Sequence, residues 1–251
     1  MFKFDLHIHS CLSPCGDLEN SPRAIARAAK GAGLQGIMLA DHNSTRNSAA
    51  LAEACRREEG LQCLFGMEVT TAEEVHCLAV FDTAEQAGAM TDTVYAALPK
   101  RVNQPEVFGY QDVVDADDQV EEQEWRLLSA PTRLTIREAG ARVHELGGLF
   151  IAAHIDRSVF SVTSQLGGLA GDEGFDAVEL SRHADPAAWQ TKTLGLPFIR
   201  SSDAHYLDAI GTIWTEAELA EFTTRALRSA FQAHALGWGC TKGASAREER
   251  S

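Results

Sequence analysis

Apolar and polar positions along the chain follow two periods. Short apolar runs, FKFDLHI at Phe2 to Ile8 and GIMLA at Gly36 to Ala40, each precede a stretch with helical spacing, from about Pro22 to Lys30 and from about Thr45 to Glu59. Strand-then-helix order of this kind predicts parallel pairing. Ser21 and Pro22 read as an N-cap and first helical position, and Gly31 and Gly33 stop that helix. LQCLFGMEVT and EVHCLAVF read as two adjacent strands, followed by a helix from about Thr83 to Leu98 that Pro99 ends. LGGLFIAAH, FDAVELS and LPFIRSSDAH read as buried strands separated by helical patterns around Ile136 to Leu146 and Asp185 to Leu194, and a last helix is predicted from about Glu216 to Leu236. The pattern amounts to roughly seven strands with intervening helices in an α/β chain. A barrel is predicted over an open sheet, because polar residues cluster at the C-terminal ends of strands, where barrel sites are built.

Lys100 to Pro131 breaks the rhythm. Within it VFGYQDVVDADDQVEEQEW reads as a hairpin-like insertion turning near Asp117 and Asp118, either a surface elaboration or a lid. The expected organisation is one barrel domain over residues 1–240 carrying this insertion at about 100–131, with a frayed tail at 241–251.

A chain of 251 residues with 45% apolar content can bury one large core. It contains no apolar run of about eighteen residues to cross a bilayer. MFKFDLHIHS lacks the plan of an export signal, so a cytoplasmic protein with no membrane partner is expected. Six irregularly spaced cysteines do not make a disulfide framework. The formal net charge of -14 argues against a long nucleic acid as partner, since phosphate-backbone affinity comes from clustered Lys and Arg. A small anionic substrate stays compatible if bound cations reverse the local field.

The chemistry gathers at the predicted strand ends. Taken in order, these carry His7 and His9, then Asp41-His42-Asn43, Glu68, His76, His154, and finally Asp203 with His205. Six of the nine histidines fall in this set, leaving His144, His183 and His234 outside. On a strand of period two, His7 and His9 share a face, with Leu6 and Ile8 on the other. Imidazole and carboxylate together suit Zn, Mn or Fe, and this many donors exceed the needs of one tetrahedral ion. More than one metal is implied, with Glu68 the candidate bridge.

DLHIHS, ADHN at 40–43, GMEVT with EVH after it, AAH and SDAH together resemble the polymerase and histidinol phosphatase (PHP) superfamily, over nearly the whole span from Asp5 to His205. The CGD form of the first loop, Cys15-Gly16-Asp17, resembles that of a bacterial subgroup. The resemblance implies a distorted (β/α)7 barrel with two or three divalent metal ions at its C-terminal mouth and phosphoesterase activity. It further implies that His7 and His9 hold a first metal with Glu68 and Asp203. Glu68 would bridge to a second metal held by His76 and His154, and His42 and His205 would hold a third with Asp17. Asp17 reads equally as a helix-entry residue ahead of Ser21 and Pro22. Asp5 and Asp41 either orient metal-bound imidazoles or cap loops. Cys11 and Cys15 are read as small loop residues near the mouth in preference to a zinc or redox pair.

Arg157 and Arg182 are placed either to bind a substrate phosphate or to pair with surface carboxylates, and His183 either contacts substrate or is an exposed loop residue. The function expected is a metal-dependent phosphoesterase acting on a small phosphorylated substrate, with phosphate as product. A metal-bridging hydroxide would attack phosphorus, Glu68 and Asp203 organising the ions and His205, His183 or a water on the third ion assisting the leaving group. The alternatives are amidohydrolase-like C–N hydrolysis and a non-catalytic metal-bound module.

Overall fold

The structure is a computed structural model and describes residues 1–241. Of the tail expected to fray, 242–251 lie outside the described residues, while the Thr241 N–H donates to the Thr212 carbonyl at 2.9 Å.

The chain opens with β1 (Phe2–Ile8), α1 (Pro22–Gly31), β2 (Gly36–Leu39) and α2 (Ser48–Arg56). β3 (Gln62–Thr70), β4 (His76–Phe81) and α3 (Ala84–Ala97) follow, and the insertion contributes α4 (Pro105–Phe108), β5 (Asp112–Val114) and β6 (Val120–Gln123). Then come α5 (Ile136–Glu145), β7 (Leu149–Ala152), α6 (Val162–Leu166), β8 (Ala177–Leu180), α7 (Pro186–Trp189) and β9 (Phe198–Arg200). β10 (Ile213–Ala217), α8 (Thr224–Gln232) and β11 (Leu236–Cys240) complete the described residues.

Helix starts follow local chemistry. The Ser21 hydroxyl accepts the Ala24 N–H with Pro22 at the first helical position, and Thr83 with Gln86 and Thr135 with Glu138 form reciprocal capping boxes for α3 and α5.

One sheet carries nine of the strands in the order β11-β10-β1-β2-β3-β4-β7-β8-β9. Seven of them, from β1 to β9, curl until Ile8 meets Ala204 in a parallel bridge, where the His9 N–H donates to the Ala204 carbonyl at 2.9 Å. At the opposite end β10 wedges between the closing edges. It runs antiparallel to β1, and the Thr215 hydroxyl donates to the Arg200 carbonyl at 2.8 Å and accepts the Arg200 N–H at 2.7 Å. The fold is therefore the distorted α/β barrel of seven strands, extended by two antiparallel strands.

The barrel interior is filled by Phe4, Leu6, Met38, Leu64, Leu78, Val80 and Ile151, and Leu227 and Phe231 of α8 join that cluster. The Asp82 carboxylate fixes α8 by accepting the Thr224 N–H at 2.7 Å. Separate apolar layers lie under α1 and α2 and under α3 and α5. Among the described residues no helix is long and apolar enough to cross a membrane.

Three expectations need correction. Pairing is not parallel throughout: β4 runs antiparallel to both β3 and β7, because the short link Thr71 to Val75 reverses the chain and cannot house a crossover. The helix expected from Glu216 to Leu236 is instead the end of β10, then α8 and the start of β11. Ile213 to Ala217 alternate buried and half-buried, the period of a strand, and β11 pairs along β10. Leu6 and Ile8 do not share a layer, since a register shift between Asp5 and Ile8 leaves Leu6 in the barrel interior and Ile8 under α1.

Close approach of strands is set by glycine at one place in particular. A Cβ on Gly66 of β3 would collide with the Met38 sulfur and lie 2.5 Å from the Ala79 carbonyl oxygen. Gly66→Ala is expected to lower stability by about 1–3 kcal/mol through overpacking. A shift of the denaturation midpoint to lower denaturant at unchanged slope checks this, and an unshifted midpoint contradicts it.

Candidate metal centre

The barrel mouth collects the strand-end residues, and the reversal of β4 explains how His76 arrives there. His76 starts its strand, yet it pairs with Thr70 at the end of β3, so the antiparallel turn returns it to the mouth. Asn43 ties the neighbouring loop down: its side chain accepts the Thr70 N–H at 3.0 Å and donates to the Leu128 carbonyl at 2.7 Å. Asn43, His154 and Asp203 adopt positive φ (52°, 26° and 50°), a left-handed backbone that costs of order 1–3 kcal/mol per non-glycine residue. Such strain at three strand ends facing one point fits a site whose side-chain directions matter more than local comfort.

Glu68, buried on β3, lies at the centre. Its Oε1 is 2.9 Å from His76 Nδ1, 3.0 Å from His154 Nε2 and 3.4 Å from His7 Nε2. Its Oε2 is 3.1 Å from His42 Nδ1 and 3.6 Å from His9 Nε2. Asp203 Oδ1 faces the first motif as well, 3.2 Å from His7 Nε2 and 3.3 Å from His9 Nε2. His205 stacks on His9 with ring centroids 4.4 Å apart, and its Nδ1 is 2.9 Å from the Asp203 carbonyl oxygen.

The outer partners fix which nitrogen of the first two rings faces inward. Glu179 Oε2 is 2.9 Å from His7 Nδ1, and a carboxylate only accepts, so His7 carries its proton on Nδ1. The Ser13 hydroxyl donates to Asp41 at 2.8 Å and thus accepts from His9 Nδ1 at 2.9 Å. Both Nε2 atoms then face each other across 3.2 Å, with Glu68 and Asp203 alongside. Two imidazole nitrogens and two carboxylates gathered at one point make a donor set that fits divalent metals. Donor atoms of His7, His9 and Glu68 converge within 4.8 Å, as do those of His42, Glu68 and His76 and those of His9, Cys15 and His205.

The electrostatics agree. Burial and then the neighbouring His205 push His9 down to about 4, and burial also holds His42 well below its ordinary value, so both rings are neutral and able to ligate. Burial opposes a charge on His7, but Asp203, Glu179 and Glu68 outweigh it and raise its pKa. Burial likewise opposes ionisation of Glu68 and Asp203, yet the adjoining imidazoles, joined at Asp203 by Arg157, hold both carboxylates well below the usual range.

Other predicted positions fall as follows. Asp41 reaches a histidine only through Ser13, and Asp5 accepts the backbone N–H groups of His7 (3.2 Å) and Ser202 (3.1 Å), joining the first and last motifs without touching a ring. Asp17 Oδ1 accepts the Glu19 N–H at 2.8 Å within its own loop and is absent from the three converging groups. Arg157 lies at the mouth, 2.7 Å from Asp203 Oδ2. Arg182 Nε donates to His183 Nε2 at 3.2 Å, on the loop after β8. His144, outside the set, pairs with Asp176 at 2.9 Å.

Sequence reasoning passed over Glu179, Ser13 and Phe160. Glu179 had a legible signal, an acid inside the buried run AVEL, and Phe160 stacks flat on His76 at 4.8 Å. Glu179→Gln is expected to weaken metal affinity about 10–100-fold, the usual cost of losing such an orienting partner. Competition with a chromophoric chelator reads this out, and unchanged affinity would refute the role.

Residues 5–160 match the family model described as the PHP domain, and 187–236 match one described as PHP-associated. The chain belongs to the PHP family. Its clustered imidazoles and carboxylates are donors able to hold divalent metal ions. No curated protein matches it.

Among solved structures, the PHP barrel resembles the lesion-specific endonuclease EndoQ of Pyrococcus furiosus, with a TM-score of 0.68, 20% identity, and coverage of 92% of this chain and 56% of that one. It matches equally an Endonuclease Q complex with a 27-mer duplex bearing an abasic lesion at the active site, with a TM-score of 0.68, 21% identity, and coverage of 92% and 56%. A protein of Bifidobacterium adolescentis designated a metal-dependent phosphoesterase matches with a TM-score of 0.57 and 22% identity, over 93% of this chain and 96% of that one. The chain thus spans a little over half the length of the endonuclease chains.

One expectation is overturned here. Exclusion of a long nucleic acid does not stand, because this fold accommodates a 27-mer duplex in Endonuclease Q. Net charge averages over the whole surface, whereas a polyanion meets the local field of the mouth.

Proposed function

We propose that the protein hydrolyses phosphate esters at a cluster of two or three divalent ions, Mn, Fe or Zn, assembled around Glu68. The observation that carries this reading is the division of labour on one carboxylate: Oε1 faces His7, His76 and His154, while Oε2 faces His9 and His42. A carboxylate whose two oxygens serve different ligand sets is suited to bridging adjacent ions. When bound, divalent ions supply Lewis acidity and acidify water.

The chain's own residues do the rest. His7 and Asp203 would hold one side of the cluster, and His76, His154 and His42 the other, with Glu68 between them and His9 and His205 toward the outer rim. Glu179 and Ser13 keep the first two imidazoles in the ligating tautomer. Arg157, on the open side of Asp203, offers a guanidinium to a phosphate oxygen, and Arg182 and His183 extend the polar rim. His205, partly exposed at the mouth, would face the outermost ion with its Nε2. The likeness of the CGD loop to that of a bacterial subgroup of the family supports assigning the chain there, and residues 1–240 would act as one catalytic unit carrying the 100–131 insertion.

The structural likeness to Endonuclease Q supports including polynucleotide phosphodiesters among the substrates. The test is a panel of phosphomonoesters, nucleotides, intact and abasic duplexes and amides, offered to protein loaded with each metal in turn. Cleavage of one phosphate-ester class is expected. Amine release with intact phosphate esters would assign C–N hydrolysis instead, and no turnover of any class by fully loaded protein would leave only a binding role.

A further inference from the structure

We infer that Cys15 is a thiolate ligand, holding an ion together with His9 and His205 at the outer rim of the cluster. The inference rests on the metal-centre reading above and goes beyond it by naming a ligand and the kind of metal that ligand selects.

Cys15 lies in the stretch DLHIHSCLSPCGD. After β1 the chain folds back twice, the Ser13 N–H donating to the Ser10 carbonyl at 3.1 Å and the Gly16 N–H to the Ser13 carbonyl at 2.9 Å. Gly16 is required there, since a Cβ at this position would collide with the Ser10 carbonyl oxygen. The Asp17 N–H then donates to the His205 carbonyl at 3.0 Å, which fastens the loop to the last motif. From the other side the insertion presses on the same turn. Gly109, at φ 101°, sits so close that a Cβ would collide with the Pro14 carbonyl oxygen, and the Asp112 N–H donates to the Cys11 carbonyl at 2.9 Å. Cys15 is therefore carried by a clamped turn.

The clamp brings the Cys15 sulfur and one nitrogen of each of His9 and His205 within 4.8 Å of one another. The two rings have complementary commitments. His9 Nδ1 is taken by Ser13 and His205 Nδ1 by the Asp203 carbonyl, so each retains Nε2 for a cation. The rings stack at 28° with centroids 4.4 Å apart, which sets the two imidazoles beside each other. His9 is almost fully buried, at 1% exposure, and is one of the three converging donors. Three converging donors, two imidazoles and a sulfur, with the outer side toward solvent, make a three-ligand site with an open position. The carboxylate expected here, Asp17, is instead turned to the Glu19 N–H. A thiolate favours Zn²⁺, Fe²⁺ or Co²⁺ over Mg²⁺ and Mn²⁺ at this position.

The test uses the whole chain loaded with Co²⁺. Wild type and a Cys240→Ser control, changed at an exposed cysteine of β11 outside the converging groups, should both show thiolate-to-cobalt charge-transfer absorption in the near ultraviolet. Cys15→Ser should lose that band and about one bound ion per chain. In a second measurement on wild type alone, alkylation of Cys15 mapped by mass spectrometry should be blocked by Zn²⁺ and restored by a chelator, while Cys240 reacts in both states. This measurement decides the matter should Cys15→Ser fail to fold. A band that survives Cys15→Ser, or equal labelling of Cys15 with and without zinc, overturns the assignment. Hydrolysis intact without the band refutes Cys15 alone, whereas the band present without hydrolysis of any phosphate ester refutes the functional reading and leaves the ligand standing.

Discussion

Glu68→Gln is expected to abolish phosphate-ester turnover and to strip the centre of tightly bound metal while leaving the barrel folded. Glutamine keeps the shape of glutamate, so packing in β3 is preserved and its ladder with β4, from Phe65 opposite Phe81 to Thr70 opposite His76, is untouched. What disappears is the one charge that five imidazoles surround. Removing one partner from a buried charge cluster costs about 3–5 kcal/mol. That corresponds to on the order of 10²–10³-fold in metal affinity, with turnover falling alongside. Elemental analysis after gel filtration, paired with phosphate-release rates and far-ultraviolet circular dichroism, gives the result. Wild-type metal content and turnover in the variant would remove Glu68 from its central role.

The second large effect is expected on metal removal. A chelator should eliminate hydrolysis and lower thermal stability together, and re-addition of Mn, Fe or Zn should restore both. The physical reason lies in the cage itself. Glu68, Asp203 and Glu179 are buried carboxylates, so a folded chain without cations keeps negative charge at close quarters that an unfolded chain separates and hydrates. An ion at 100 times its dissociation constant stabilises the native state by about 2.7 kcal/mol per site. For a chain of this size that corresponds to a fall of about 5–10 °C in Tm on chelation. Scans at fixed protein concentration with and without chelator measure it, and a Tm and turnover both indifferent to chelator would contradict a functional metal centre.

How much of this was legible beforehand differs by residue. The order of most strands and helices, the cap at Ser21 and the convergence of His7, His9, His42, Glu68, His76, His154, Asp203 and His205 follow from spacing and residue type, because each signal is local. The final helix was misjudged because Ile213 to Ala217 and Leu236 to Cys240 are strands only by virtue of pairing with each other and with β1. Glu179 was passed over because its partner, His7, is 172 residues away and no local period reports such a contact. Cys15 was set aside for the same reason: a thiol gains a role only when its loop is folded against His205, near the other end of the chain.

The sequence by itself determined which donors this protein has, and the family motifs in which they stand, since ligand chemistry resides in side-chain identity. Only the tertiary structure decided how they divide. The reversal of β4, the register shift in β1 and the clamped turn at Gly16 set which nitrogen, oxygen or sulfur faces which neighbour. Those directions depend on backbone pairing between distant segments, which residue type alone does not encode.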